Sequence, residues 1–119
     1  MSQKTSILTL SLEAAAAISA DTFVTLAGEP AAAGEAAIGI AVAPAATGEY
    51  FPYDVLGTST AKAGAAITKG QNLEVGAGAT AVPQTTGVLV AIALEDAEAD
   101  QTVEVLLIQG GTEPASGGV

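Results

Sequence analysis

The sequence contains neither cysteine nor histidine. Without cysteine the chain can form no disulfide and no thiolate zinc site. Without histidine it lacks the commonest general base and the commonest neutral metal ligand, and a nucleophilic serine has no histidine to activate it. We therefore expect a protein that is not an enzyme and that needs no cofactor.

Positive charge is also scarce. Three Lys and no Arg stand against 13 Asp and Glu, which gives a formal net charge of −10. Nucleic-acid binding places cations against phosphates, so we expect no direct contact with DNA or RNA. Anionic membranes are disfavoured for the same reason, and no run reaches the roughly 18 apolar residues of a membrane span. The first residues, MSQKTS, are not followed by the apolar region of a secretory signal. The charge instead favours attraction to a basic patch on a protein partner.

Large side chains are few, with two Phe, two Tyr and no Trp in 119 residues. This length suggests one domain. Much of the hydrophobic content of 50% is alanine, and small domains bury only a modest part of their surface. We expect such a chain to gain stability by oligomerising or by docking on a partner.

The apolar segments have the length of strands, and two of them predict a β-hairpin. Residues 88–94 and 102–108 are apolar arms, and the connection between them is acidic. Further strands are predicted at residues 7–12, 22–26, 37–43, 49–56, 66–68 and 72–75. Residues 58–65 and 76–84 are predicted to be surface loops. Pro52 cannot donate to a ladder, so its strand should be an edge or carry a bulge.

Short strands, frequent turn signals and no sustained helical period predict an all-β fold, a small β-barrel or β-tulip-like domain. The predicted boundaries are a flexible N-terminal arm at residues 1–6, the β domain at 7–109 and a flexible tail at 110–119.

Two halves of the chain look alike. The segment around Ile18 resembles the segment around Ile67 at an offset of 49 (67 − 18), and Ile40 resembles Val90 at an offset of 50 (90 − 40). A duplicated strand unit would give this pattern. The alternative is a chance match between alanine-rich strands punctuated by glycine.

Carboxylates offer two candidate sites. A Ca²⁺ site needs several carboxylate oxygens, and the acidic residues of the hairpin connection are Glu95, Asp96, Glu98 and Asp100. They lack the glycine of an EF-hand loop, so a solvated turn is preferred. Catalysis by paired acids would need two carboxylates facing a pocket. Asp54 and Glu104 lie inside predicted strands, and we expect both to point to solvent or to a subunit contact.

The aromatic residues concentrate at Tyr50, Phe51 and Tyr53. Aromatic side chains are common interface anchors, and the alternative is that they are the largest pieces of the core. Strand alternation sends Phe51 to one face and Tyr50 to the other. The N-terminal arm could add a strand to a partner's sheet edge, and the alternative is a frayed terminus.

The order of these blocks resembles a known family. An Ala-Ile-Ser-x-Asp opening at residues 17–21 leads to Phe23-Val24, and AAIGIA at 36–41 precedes Gly48. AITKGQNL follows at 66–73, and the chain closes with VLVAIA at 88–93 and VEVLL at 103–107. This pattern, from about Leu8 to Ile108, is similar to the head decoration or capsid cement proteins of tailed phages.

The resemblance implies a non-enzymatic virion protein on the outer surface of the capsid, made in the host cytoplasm. Its implied partners are the major capsid protein and further copies of itself, as a homo-oligomer and specifically a trimer. Relatives clamp neighbouring capsid subunits and stabilise the shell. An N-terminal arm often contributes to capsid contact in such proteins.

From these observations we expect capsid contact through the arm, the first strand and the aromatic segment. The candidate contact residues are Ser2, Gln3, Lys4, Thr5, Ile7, Leu8, Tyr50, Phe51 and Tyr53. The alternative function is a carbohydrate- or surface-binding β module of a virion fibre or cell envelope. That function would need a concave pocket lined by the tyrosines and the acidic turn.

Overall fold

A computed structural model describes residues 5–109 of the chain. These residues form an all-β fold, as the sequence predicts. The strands are β1 Ser6–Glu13, β2 Phe23–Val24, β3 Gly39–Ala41, β4 Tyr50–Lys62, β5 Asn72–Val75, β6 Ala81–Pro83, β7 Ala91–Ala93 and β8 Thr102–Leu107, and a single 3-10 turn covers Ala77–Ala79. Most connections are turns and loops, and several strands have only two or three residues.

The strands make one nearly closed, barrel-shaped sheet in the order β2-β3-β4-β8-β7-β5-β6. β1 lies off this path and pairs with β4. All pairings between strands are antiparallel. The predicted hairpin is present as β7 and β8, with Ala91 opposite Leu107 and Ala93 opposite Val105.

β4 is the longest strand, and the first half of it corrects one expectation. This half pairs with β1 and with β3, so the strand that contains Pro52 is not an edge. The carbonyl oxygen of Pro52 accepts a hydrogen bond from the Val42 N–H at 2.9 Å. The other predicted alternative, an irregularity in the ladder, is present as register shifts on either side of Leu8, away from Pro52 itself.

The second half of β4 corrects another expectation. Residues 58–62 were predicted to begin a surface loop, but they continue the strand and pair with β8. Ala61 and Ala63 are completely buried. The small side chains that suggest a loop are the ones that fit here, because Ser59 and Ala61 face the buried side of the strand. Residues 81–83, also predicted as loop, form β6 against β5.

The core consists of two clusters that meet at β3. The larger includes Phe23, Ile40 and Leu73 and extends under β5, β7 and β8. The smaller contains Phe51, Tyr53 and the residue next to Ile40 in β3, Ala41. Successive residues of β3 therefore contribute to different clusters, which explains why an apolar run without alternation forms this strand.

Four similar turns divide the chain, and we number them in chain order. Turn 1 is residues 19–22, turn 2 is 46–49, turn 3 is 68–71 and turn 4 is 98–101. In each turn the third residue has a positive φ: Asp21 62°, Gly48 89°, Gly70 90° and Asp100 71°. The fourth side chain bonds back to the first residue: Thr22 Oγ1 to Ser19 O at 2.7 Å, Ala46 N to Glu49 Oε1 at 2.8 Å, Thr68 N to Gln71 Oε1 at 2.8 Å, and Glu98 N to Gln101 Oε1 at 2.9 Å.

Backbone hydrogen bonds repeat in the same way. Ile18 and Ala45 exchange two N–H···O bonds of 2.8 and 3.0 Å, and so do Ile67 and Ala97. The first members of these pairs are 49 positions apart (67 − 18) and the second members 52 (97 − 45). The predicted duplication is therefore visible in the hydrogen bonding, but the offset of its second block is 52 and not 50.

The two copies of this motif share β4. Unit 1 runs from β1 to the first half of β4, residues 6–56, and unit 2 runs from the second half of β4 to β8, residues 57–107. The pair Glu13 and Tyr50 in unit 1 corresponds to Lys62 and Thr102 in unit 2. β4 is thus the last strand of unit 1 and the first strand of unit 2.

Candidate functional site

β1 is the least covered strand of the fold. Within residues 5–109 it pairs only with β4, and every residue of it except the half-buried Leu12 is exposed. Ile7 is 75% exposed and Leu10 is 44% exposed. A strand with one open edge and uncovered apolar side chains is a surface that another protein can pair with or cover.

The N-terminal end of β1 carries an apolar group formed by Ile7, Leu8 and Leu56. Leu8 lies opposite Leu56 in the ladder. Gly57 lets the two strands approach closely here, because its φ is +93° and an added Cβ would overlap the Thr5 carbonyl oxygen. Thr5 is held by two hydrogen bonds to β4, one of them from its N–H to Thr58 Oγ1 at 2.6 Å. Thr5 is therefore docked on the domain and does not belong to a free arm.

Tyr50 lies at the other end of the same ribbon, opposite Glu13, and is 72% exposed. The six residue steps from Ile7 to Glu13 (13 − 7) span about 20 Å at roughly 3.3 Å per residue. The candidate residues therefore do not form one compact patch. They occupy two ends of the β1–β4 ribbon, with Leu10 between them.

Phe51 and Tyr53 belong to the core. Their exposures are 1% and 3%, and their ring centroids lie 6.2 Å apart at an interplanar angle of 53°. The predicted alternation, with Phe51 inside and Tyr50 outside, is present. These two side chains cannot reach a partner in this fold, so only Tyr50 remains of the aromatic contact candidates. Tyr50 is exposed and Tyr53 is buried, so the two tyrosines do not line a common surface as the carbohydrate-binding alternative expects.

Three candidates, Ser2, Gln3 and Lys4, lie outside the described residues. So does the tail at residues 110–119. The contact prediction for the arm stays a prediction.

Asp54 fastens β1 to the domain. Its carboxylate is 1% exposed and accepts hydrogen bonds from Thr9 Oγ1 at 2.8 Å and from Ser59 Oγ at 2.7 Å. The expectation that this acid points to solvent or to a subunit contact is wrong. No local sequence signal marks this bond, because Thr9 alternates with Leu8 and Leu10 like any outward-facing polar residue of a strand.

The acidic hairpin connection uses its carboxylates within the chain. Glu95 Oε2 accepts the Glu104 N–H at 2.9 Å, and Asp96 Oδ1 accepts the Lys69 N–H at 2.7 Å. In the part of the chain that the structure describes, no three acidic residues are grouped so that they could hold a metal ion. Asp96 thus joins the hairpin connection to turn 3, and Glu95 joins it to β8.

Glu74 performs a similar task in unit 2. Its Oε1 accepts the backbone N–H of Thr85 at 2.7 Å and that of Gly87 at 2.9 Å. The Thr85 N–H is the main reason that the pKa of Glu74 is lowered, and the Gly87 N–H acts in the same direction against the opposing effect of burial. The charged carboxylate holds the loop before β7 against β5.

Four exposed large apolar residues were not among the candidates, namely Leu10, Leu26, Leu56 and Leu106. Leu56 stands at the end of unit 1 and is 40% exposed, and Leu106 is 38% exposed. Strand alternation gives a signal for Leu106, because Val103, Val105 and Leu107 face the core and leave it as the apolar residue on the outer face. Alternation gives no such signal for Leu56, because the register of the β1–β4 ladder shifts next to the Leu8–Leu56 pair. The side to which Leu56 points therefore does not follow from its neighbours in sequence.

An all-β domain with an uncovered apolar edge and an acidic surface belongs to the class of structural and protein-binding modules. Its membership is more specific. The chain belongs to the phage cement protein family, whose model matches residues 1–108. It is thus a structural protein of the phage head, located on the outer surface of the capsid. The family resemblance read from the sequence is confirmed.

Solved structures with a similar fold include a phage protein. The head fiber gp8.5 N base of bacteriophage phi29 superposes with a TM-score of 0.72 at 23% sequence identity, covering 89% of this chain and 98% of that one. No curated protein matches the chain. Among residues 5–109 there is no helix with the length and hydrophobicity of a membrane span.

Proposed function

We propose that the chain binds the outside of the assembled phage head as a homotrimer, bridges neighbouring major capsid subunits and so stabilises the shell. The single observation that carries this proposal is the uncovered β1 edge. Membership of the cement protein family indicates that the binding surface is the phage head. The uncovered edge of β1 is the surface that we propose makes the contact.

The apolar end of β1 is suited to the capsid contact. Ile7, Leu8 and Leu56 expose large aliphatic side chains beside Thr5, from which residues 1–4 continue. Burying apolar area stabilises a complex by roughly 25 cal/mol per Å² before the costs of association. We propose that these three side chains and the arm residues Ser2, Gln3 and Lys4 meet the shell.

The net charge gives the partner surface a sign. A chain of net charge −10 is attracted to a basic patch and repelled by other acidic proteins. Exposed charges are screened over about 10 Å at 0.1 M salt. Capsid binding should therefore weaken with salt, while the apolar contact retains part of the affinity.

Stabilisation follows from binding without any reaction. A ligand that binds the intact lattice and not the dissociated subunits shifts the equilibrium towards the lattice. Several linked contacts strengthen one another because the shell fixes their spacing. We accordingly propose that the protein is not an enzyme.

Co-sedimentation with expanded, undecorated capsids tests the proposal. The native chain should pellet with the capsids, and the double variant Ile7→Ser/Leu8→Ser should bind at least about tenfold more weakly. Leu26→Ser is the matched control, because Leu26 is 68% exposed but lies after β2. It should bind like the native chain. A native chain that stays in the supernatant at every salt concentration would contradict the proposal.

A further inference from the structure

Inside the chain, unit 1 covers the open edge of unit 2. The N–H of Lys62 donates to the carbonyl oxygen of Asp21 at 2.8 Å, and Thr60 Oγ1 donates to Asp21 Oδ1 at 2.7 Å. Turn 1, which contains Asp21, therefore caps the edge of β4 that faces away from β8. This contact joins two different surfaces of the repeated motif.

The corresponding surfaces are left over at the two ends of the chain. Glu13 and Ser11 of β1 stand 49 positions before Lys62 and Thr60 (62 − 13 and 60 − 11), and Gly70 of turn 3 stands 49 after Asp21 (70 − 21). The Thr25–Gly28 turn lies beside the Glu13 carbonyl. Within residues 5–109, however, no turn accepts a hydrogen bond from the Glu13 N–H as turn 1 does from Lys62.

Turn 3 has the same orientation in unit 2 as turn 1 has in unit 1. The N–H of Asp21 donates to Ala41 O at 2.9 Å, and the N–H of Gly70 donates to Ala93 O at 2.8 Å. The carbonyl group of Gly70 is thus placed like that of Asp21. The contact between the units joins two different surfaces and does not close on itself. Among residues 5–109 it therefore leaves the equivalent surfaces, the outer edge of β1 and turn 3, without this contact.

The burial of side chains shows the same mismatch. Ser59 and Ala61 are 1% and 0% exposed because unit 1 covers the first strand of unit 2. Their counterparts in β1 are Leu10, which is 44% exposed, and Leu12, which is half-buried. The larger apolar side chains stand where the cover is missing.

We infer that a second copy of this chain supplies the cover, with turn 3 of one copy capping the β1 edge of the next. The N–H of Glu13 then donates to the Gly70 carbonyl of the neighbour, as Lys62 does to Asp21. The charges agree, because Lys69 stands in turn 3 and Glu13 on β1. A head-to-tail contact of this kind builds a ring when its rotation closes.

The chain's own C-terminal residues are a poorer occupant of turn 3. The last strands of the two units are offset by 52, so the residue that follows β8 as Lys62 follows the first half of β4 is residue 114 (62 + 52). This residue is Pro114, which has no backbone N–H to donate to turn 3. This inference gives the self-association in the proposed function a specific pair of surfaces. It leaves the Ile7 end of β1 to the capsid, and it is tested without capsids.

Cysteine cross-linking tests it directly, because the native chain has no cysteine. The full-length variants Ser11→Cys and Gly70→Cys are mixed, oxidised and separated under non-reducing conditions. The equivalent side chains, Thr60 and Asp21, are in contact at 2.7 Å, and Asp21 has a φ of 62°, so a non-glycine residue is compatible with this turn position. Gly48→Cys is the matched control, because Gly48 has a φ of +89° and an equally open environment in turn 2.

The mixture of Ser11→Cys and Gly70→Cys should give a higher yield of covalent dimer than any other combination of the variants. Reductant should convert this dimer back to monomer. Ser11→Cys mixed with Gly48→Cys should give at least about tenfold less. Efficient dimers from Ser11→Cys alone would show a symmetric β1–β1 contact and overturn the inference. Sedimentation of the native chain as a monomer across the micromolar range would overturn it as well. Thermal melts that match the native chain establish that each variant is folded.

Discussion

Asp54 shows how one buried residue determines where an exposed strand lies. Its carboxylate joins Thr9 of β1 to Ser59 in the second half of β4, so a single side chain connects the two units through β1, the strand proposed to contact partners. A buried carboxylate requires such donors, since an unsatisfied one costs far more than the bonds return.

Replacing Asp54 by Ala should lower the free energy of unfolding by about 1–3 kcal/mol, because the buried Ser59 hydroxyl loses its acceptor. Urea unfolding followed by circular dichroism measures this change. Glu35→Ala is the control and should shift the free energy by less than about 0.5 kcal/mol, since Glu35 is exposed. Equal effects of the two substitutions would contradict the role given to Asp54.

Glu74 gives the stability a dependence on pH. Backbone N–H groups lower the pKa of Glu74 in the folded state, so its contribution is complete above the pKa of an unfolded glutamate. It is lost as the pH falls through the lower folded-state pKa. Glu74→Gln should therefore cost about 1 kcal/mol at pH 7 and little at pH values below the folded-state pKa.

Urea unfolding of the native chain and of Glu74→Gln over a pH series measures that difference. The matched variant Glu35→Gln should differ from the native chain by a small amount that does not change with pH. A Glu74→Gln penalty that is constant from neutral to acidic pH would be inconsistent with the bonding described.

Among the elements, β3 packs very closely against β4 at Gly39. A Cβ added at Gly39 would overlap the carbonyl oxygen of Asp54. Gly39→Ala should therefore destabilise the domain by about 3 kcal/mol through overpacking. Gly48→Ala, where a Cβ meets nothing within 4 Å, should cost only about 1–2 kcal/mol for its left-handed backbone. A smaller loss at Gly39 than at Gly48, measured by urea unfolding, would contradict the packing at β3.

The elements that the sequence predicts well are those with large or alternating side chains. β1 and the β7–β8 hairpin have them, and the outward Tyr50 follows from its position beside Phe51. The second half of β4 was missed because Ala61 and Ala63 carry no local strand signal. Their burial comes from contacts with residues far away in the sequence, which no local pattern reports.

Across the whole molecule, the duplication could be recognised from the sequence but its register could not. Alanine-rich strands match at several offsets, and only the paired bonds of Ile18 with Ala45 and of Ile67 with Ala97 fix the value. The buried role of Asp54 was missed for a related reason. Its donors come from β1 and from beyond Gly57, and the sequence alone does not bring them together.

If the protein stabilises the shell by mass action, capsids should resist heat better as more of it is added. The temperature of capsid disruption should rise with the free concentration of the chain and keep rising logarithmically above the dissociation constant. Light scattering during heating measures this temperature. Ile7→Ser/Leu8→Ser should shift the curve to higher concentration, whereas Leu26→Ser should leave it in place.

The most direct measurement is a cryo-electron microscopy map of expanded capsids incubated with the purified chain. We expect added density on the outer surface that spans neighbouring major capsid subunits, with the Ile7 end of β1 towards the shell. Density that touches only one subunit, or a surface identical to that of undecorated capsids at saturating concentration, would contradict it.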